Sequence, residues 1–189
     1  NWVEIDLKRH NKNLFLAADA KTLKPTSQFA EENNALVAIN GGFFNMKDGG
    51  AVDYIKVNRQ VINETVKKSD RANAVLSIDN KKVNIETASS ANVEESAFRD
   101  VMLSGPLLLQ GTERSVKSKN PFNDNRHPRT AIGITKKDKL ILLVVDGRNA
   151  QAQGMSLYEL ASLLKWIGAK DAMNLDGGGS STLYIKGAT

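Results

Sequence analysis

The chain has 189 residues, 41 % of them hydrophobic, with 14 glycines and no cysteine, which suits one domain with a sizeable core and excludes disulfides and thiolate metal sites. A net charge of +5 and a pI near 9.4 lean mildly toward anionic ligands. No basic stripe is interleaved with aromatics and no apolar run nears about 18 residues, so neither a nucleic-acid partner nor a transmembrane segment is expected.

Trp2 to Leu7 and Leu14 to Ala18 alternate around the polar stretch Arg9 to Lys12, which predicts an opening hairpin. Ser27 to Asn34 reads as a short helix started at Thr26 or Ser27. Ala35 to Ile39 is apolar throughout, like a strand covered on both faces. Tyr54 to Val57 with Val61 and Ile62, and Ala74 to Ile78 with Val83 to Ile85, read as hairpins, the second around the turn Asp79 to Lys82. Val93 to Arg99 is a candidate short helix. Met102–Leu103 and Leu107 to Gln110 are strand-like around Gly105-Pro106. Gly111 to Arg126, rich in Asn, Ser and Lys, is expected to be a surface loop, with a lid over a site as one form of it. Thr130 to Ile134 and Lys139 to Val145 pair across Lys136 to Asp138. The strongest helix is Leu157 to Ile167. Ser156 and Glu159 form a capping box, Leu157, Leu160, Ala161, Leu164 and Ile167 share a face, and Gly168 suits the C′ position. A strand over Met173 to Leu175 follows. Hairpins with helices between them predict an α+β fold: a mixed, mainly antiparallel sheet with a few helices packed on it, in one domain over 1–189.

Four segments share one pattern, an apolar strand that ends in glycine beside a charged or amide side chain. Such strand ends are where scaffolds place functional groups. Asn174 to Thr182 delivers Asp176 into three glycines and two serines. The N–H groups around Gly178 and Gly179 and the hydroxyls of Ser180 and Ser181 could cradle an anion, or the run could be a capped tight turn. Asn40-Gly41-Gly42-Phe43-Phe44-Asn45 follows the Ala35 strand. Asn40 suits a sugar hydroxyl or a turn cap, with one phenylalanine expected in the core and the other near a pocket. His127-Pro128-Arg129 and Asp146-Gly147-Arg148 complete the set. Arginine forks fit phosphate, or Arg129 and Arg148 could pair with Asp146 or Asp176. His127 could donate to phosphate or simply lie exposed, whereas His10 is expected to be inert. Asp146 and Asp176 are the candidate carboxylates, with turn capping as the alternative for each.

"INGGFF", "SGPLLL", "PRTAIG", "VDGR" and "NLDGGGSS", in this order from about Ile39 to Tyr184, resemble the phosphodiester glycosidase domain family. That family includes the catalytic domain of the mannose 6-phosphate uncovering enzyme and many bacterial relatives. The resemblance implies a hydrolase that cleaves the C1–O bond of a sugar-1-phosphodiester, such as one of N-acetylglucosamine, and releases the sugar and a phosphomonoester. It implies catalysis by Asp176 and Asp146. Phosphate would be held by Arg129, Arg148, His127, Gly178, Gly179, Ser180 and Ser181, and sugar by Asn40, Gly41, Gly42 and Phe44. A phosphomonoester leaves with little need of protonation, so stabilising its charge is the larger task. The expected partner is a sugar-phosphate or a cell-surface glycan, with no cofactor. Absence of cysteine suits a bacterial protein of either compartment; the expected setting is exported or at the cell envelope, with the cytoplasm as the alternative. Three competing readings are a serine hydrolase on Ser180 or Ser181, a non-catalytic glycan- or phosphate-binding module, and a metal-assisted phosphodiesterase. The last would use a divalent cation on Asp146 and Asp176 with oxygens from Asn123-Asp124-Asn125.

Overall fold

The computed structural model describes residues 1–67 and 69–188, so Lys68 and Thr189 of the expected 1–189 domain lie outside the described residues. The strands are β1 (Trp2–Asp6), β2 (Val37–Ile39), β3 (Ile55–Val57), β4 (Gln60–Asn63), β5 (Ala74–Ile78), β6 (Val83–Thr87), β7 (Asp100–Ser104), β8 (Leu107–Gln110), β9 (Glu113–Arg114), β10 (Arg129–Thr135), β11 (Lys139–Val145), β12 (Ala169–Asn174) and β13 (Leu183–Ile185). The helices are α1 (Leu7–His10), α2 (Thr26–Glu32), α3 (Pro121–Asp124) and α4 (Leu157–Trp166). They form a six-stranded sheet in the order β1-β11-β10-β12-β8-β9, a five-stranded sheet in the order β4-β3-β7-β5-β6, and a ribbon of β13 with β2. Every strand pair is antiparallel, as the α+β reading expects.

The period of two along each strand sorts the core into layers. Leu140 and Leu142 of β11 join Ile132, Met173, Leu76, Ile78 and Met102 in the cluster between the two large sheets. Ile141 and Leu143 point the other way, against Leu157, Leu160, Ala161 and Leu164 of α4. Val101 and Leu103 of β7 pack with Val75 and Val93 on the outer face of the five-stranded sheet. Sheets covered on both faces explain why their strands read as unbroken apolar runs. Helix α4 carries both halves of its capping box.

Four local expectations are corrected. The opening hairpin does not form. β1 lies along β11, from Trp2 opposite Leu143 to Asp6 opposite Lys139, and Asp6 caps α1. The Leu14 to Ala18 stretch is an unpaired strap, tied down where the Leu16 N–H donates to the buried Asp100 carboxylate at 3.2 Å. Val93 to Arg99 makes turns and bends rather than a helix. Asn92 just before it takes the Ser89 N–H and donates to the Thr87 carbonyl, local bonds that compete with a helical ladder. The Ala35 strand shortens to β2, which is half-buried in the ribbon rather than covered on both faces. The Gly111 to Arg126 loop contains β9 and α3, with Asn120 capping α3 and the Tyr158 hydroxyl donating to the Ser118 carbonyl.

Register brings the motif segments to one edge. Arg129 at the start of β10 stands opposite Val145 at the end of β11. Two residues along, Ala131 stands opposite Asn174 at the end of β12. Being antiparallel to both neighbours, β10 starts where both of them finish, so His127–Arg129, Asp146–Arg148 and Asp176–Ser181 emerge side by side. The end of β2 arrives by a direct bond, the Asp176 N–H donating to the Gly41 carbonyl at 2.9 Å.

Candidate active site

Three arginines and a histidine gather around this edge. His127 Nδ1 lies 3.3 Å from Nη2 of Arg148. Because a guanidinium only donates, Nδ1 is the acceptor, and the neutral ring carries its proton on Nε2. Burial lowers the His127 pKa, and the neighbouring charges of Arg129 and Arg148 lower it further, which keeps that tautomer neutral. Among the described residues no carboxylate lies within 4.0 Å of Arg71, Arg129 or Arg148. The alternative of structural ion pairs to Asp146 or Asp176 is therefore not what the fold builds.

Arg129 departs from the expected direct contact with phosphate. It is 2 % exposed, and its guanidinium donates to the carbonyls of Met155 at 2.9 Å, Phe122 at 2.7 Å and Asn125 at 2.9 Å. Burial, then Arg148 and Arg71, bring its pKa down to about 10. Arg129 is thus a buried cation that supplies field rather than a surface fork. The Asn123-Asp124-Asn125 trio, read as oxygen ligands, instead helps to seat it. The Asn125 carbonyl is taken by Arg129, and the buried Asn123 donates to Ser118. Among the described residues no three His, Cys, Asp or Glu group as metal ligands.

The glycine run is less of a nest than its sequence suggests. The Gly177 N–H donates to its neighbour's carboxylate, Asp176 Oδ1, at 3.0 Å. The Gly178 N–H goes to the Pro128 carbonyl at 2.9 Å, and those of Ser180 and Ser181 close a tight turn on Gly177 and Gly178. Of the N–H groups from 177 to 181, only that of Gly179 has no partner among the described residues. The Ser181 hydroxyl is buried without a partner among the described residues, out of reach of a ligand. The glycines serve close approach instead. A Cβ on Gly177 would sit 2.6 Å from the Pro128 carbonyl oxygen, and one on Gly178, which is at φ +63°, would sit 3.3 Å from the Arg148 guanidinium. Gly179 and Ser180 line the large cleft, of about 1530 Å³, that runs between the sheets.

Asp176 lines the same cleft. Burial raises its pKa, while the Ser180 hydroxyl, the Gly177 N–H and the charge of Arg71 pull it back down. Asp146 is exposed beyond β11 and, like Arg71, His127 and Arg148, is not among the residues lining the cleft. The acidic residue that shares the cleft lining and the Arg71 field with Asp176 is Asp53. Arg71 itself lies over the rings of Phe43 and Phe122, 4.5 and 4.2 Å from their centroids. Sequence reasoning missed Asp53, Arg71 and Phe122 because none stands in a glycine-bearing strand end.

On the intended sugar side, Asn40 is a clasp. Its amide oxygen accepts from the Thr130 hydroxyl at 2.8 Å and the Thr182 N–H at 3.0 Å, and its nitrogen donates to the Asp176 carbonyl at 2.7 Å. The amide thus ties strands together, leaving one N–H at most for a ligand. Gly41 and Gly42 lie against Met102 of β7 and also line the cleft, as do Phe43 and the partly exposed Phe44. Neither phenylalanine belongs to a core cluster. Phe43 is instead the platform under Arg71.

Residues 33–189 match the phosphodiester glycosidase family model, and the chain belongs to that family. It is 28 % identical over 192 aligned residues to the bovine N-acetylglucosamine-1-phosphodiester alpha-N-acetylglucosaminidase, covering 89 % of this chain and 34 % of the bovine protein. The human protein of the same name is likewise 28 % identical, with 88 % and 34 % covered. The chain therefore spans about a third of the length of these relatives. The auto-inhibited catalytic domain of the zebrafish enzyme superposes with a TM-score of 0.71 at 27 % identity, covering 99 % of this chain and 63 % of that one. A Synechocystis protein with a TM-score of 0.69 at 15 % identity, covering 98 % of this chain and 52 % of that one, shares the fold.

Proposed function

We propose that the protein hydrolyses the C1–O bond of a sugar-1-phosphodiester of the N-acetylglucosamine type, releasing free sugar and a phosphomonoester. One observation carries this reading: Arg71, Arg129 and Arg148 cluster, Arg71 acting also on Asp176, with no carboxylate in ion-pair range of them among the described residues. Clustered cations without counter-ions favour an anion from solution, and a phosphodiester supplies one. In this reading Arg148, the His127 Nε2–H and the Gly179 N–H hold the phosphoryl oxygens, Ser180 steadies Asp176, and Arg129 adds field from beneath. Phe44 and the Gly41–Gly42 corner border the sugar. Asp176 faces C1, where positive charge develops as the bond breaks. The bonding pair leaves with the phosphate oxygen, water oxygen joins C1, and its proton passes to solvent. An exported or envelope setting in a bacterium belongs to the same proposal. Among the described residues no helix is long and apolar enough to cross a membrane.

The test is turnover of a panel of sugar-1-phosphodiesters in ¹⁸O-labelled water. Label in the sugar and a loss of about 100-fold or more in kcat for Asp176→Asn support the reading. Label in the phosphate would make the protein a phosphodiesterase. Tight binding without turnover would make it a glycan- or phosphate-binding module.

A further inference from the structure

We propose that Asp53 is the second carboxylate of the site and the base that takes the proton from the attacking water. This inference rests on the reading just given and assigns its missing group. Asp53 immediately precedes the buried Tyr54 and Ile55, and the Tyr54 carbonyl accepts the Leu103 N–H at 2.9 Å. It is therefore fixed at the start of β3 in the five-stranded sheet, whereas Asp176 follows β12 in the six-stranded sheet. Both acids line the cleft between the sheets, and of the acids that line it these two lie in the field of Arg71.

One short segment ties the two acids together. The Gly41 carbonyl accepts the Asp176 N–H at 2.9 Å, and two residues on the Phe43 carbonyl accepts the Val52 N–H at 3.1 Å. Phe44 bridges to Ala51 in the same small hairpin. The Phe43 ring carries Arg71, whose charge acts on both carboxylates.

Their environments divide the labour. Asp176 accepts from the Gly177 N–H and the Ser180 hydroxyl, donors that partly offset the burial raising its pKa and suit a fixed anion facing C1. Among the described residues no hydrogen bond or ion pair engages the Asp53 side chain. Only the nearby charges of Arg71 and Lys67 oppose the burial that pushes its pKa up. A half-buried carboxyl without donors accepts a proton more readily than an ordinary aspartate, the environment a base near working pH requires. As the C1–O bond breaks, its electron pair stays on the phosphate oxygen. The water oxygen bonds to C1, one water proton moves to Asp53, and Asp53 returns it to solvent.

The experiment compares wild type, Asp53→Asn and Asp176→Asn on an N-acetylglucosamine-1-phosphodiester with an alkyl aglycone, with and without sodium azide. Azide attacks without giving up a proton, so it replaces the step that a base serves. We expect kcat of Asp53→Asn to fall by about 100-fold or more with KM nearly unchanged, the acid limb of the pH profile to move, and azide to restore aglycone phosphate release with a glycosyl azide as product. Asp176→Asn should not be rescued. Wild-type kcat and pH profile in Asp53→Asn, or a loss that azide leaves untouched in a folded protein, overturns the role of Asp53 and leaves the glycosidase reading standing. No sugar release by wild type from any diester of the panel overturns both.

Discussion

The two ends of the six-stranded sheet's architecture obey different rules. Under α4, each contact is apolar and local logic predicts it: the capping box starts the helix, Gly168 follows it, and Leu160 and Leu164 drop onto Ile141 and Leu143. At the edge where β10 begins and β11 and β12 end, polar groups outnumber their partners. Among the described residues three arginines have no carboxylate within ion-pair range and the Ser181 hydroxyl has no partner, and two half-buried acids carry raised pKa values. The first region lowers the free energy of the fold. The second leaves charges uncompensated, the condition for binding and acting on something charged.

Substitutions can break this contrast. The largest stability effect belongs to the closed region. Leu160→Ala should cost about 2–5 kcal/mol in denaturant unfolding, with kcat of the folded fraction unchanged. A matching loss of kcat would show that the helix shapes the site. Next, Arg148→Ala should lower kcat/KM by about 10–100-fold, on the scale of a charge-assisted contact, while the thermal midpoint stays within about 1 °C. A large fall in the midpoint would return Arg148 to a structural role.

The smallest effect has the sharpest sign. The Asp176 pKa is raised in the fold, so at pH 7 the native state carries a charge it disfavours. Below 3.8, the ordinary aspartate value, both states are protonated and the penalty vanishes. Stability attributable to this group is therefore lost as pH rises through that window. Asp176→Asn should raise the thermal midpoint at pH 7, by about 2–4 °C for each kcal/mol relieved, and leave it unchanged at pH 3. The same substitution removes activity, so stability and function move in opposite directions. Calorimetry at the two pH values checks it.

Much of this was legible in the sequence, for reasons that differ by element. Helix α4 and the hairpins β5–β6 and β10–β11 are specified by residues close in the chain. Asp176, Arg148 and His127 announce themselves because each stands where an apolar strand stops. Asp146 carries the same local signature, and it lies outside the cleft lining as His127 and Arg148 do, since a strand end fixes where a residue emerges but not which way it faces. Arg129 looks like a surface fork until its three carbonyl partners, two of them in the Gly111 to Arg126 loop, are in place. Asp53 and Arg71 sit in ordinary turn and strand-entry sequence. Their significance comes from Phe43 and Phe122, which lie 79 positions apart by number and meet only in the fold, ring centroids 6.3 Å apart. The opening hairpin failed because β11, far along the chain, offers β1 a longer partner than the strap does.

Asn40 has a consequence for how such proteins can be rebuilt. One amide spans sequence separations of 90, 136 and 142 residues, so it works like a three-way rivet. Transplanting any single motif loop from a cousin would leave the other two riveted to the old geometry. Specificity in this scaffold should change by exchanging the three segments as a set, or through the hairpin around Asn45 to Gly50, which the rivet does not hold.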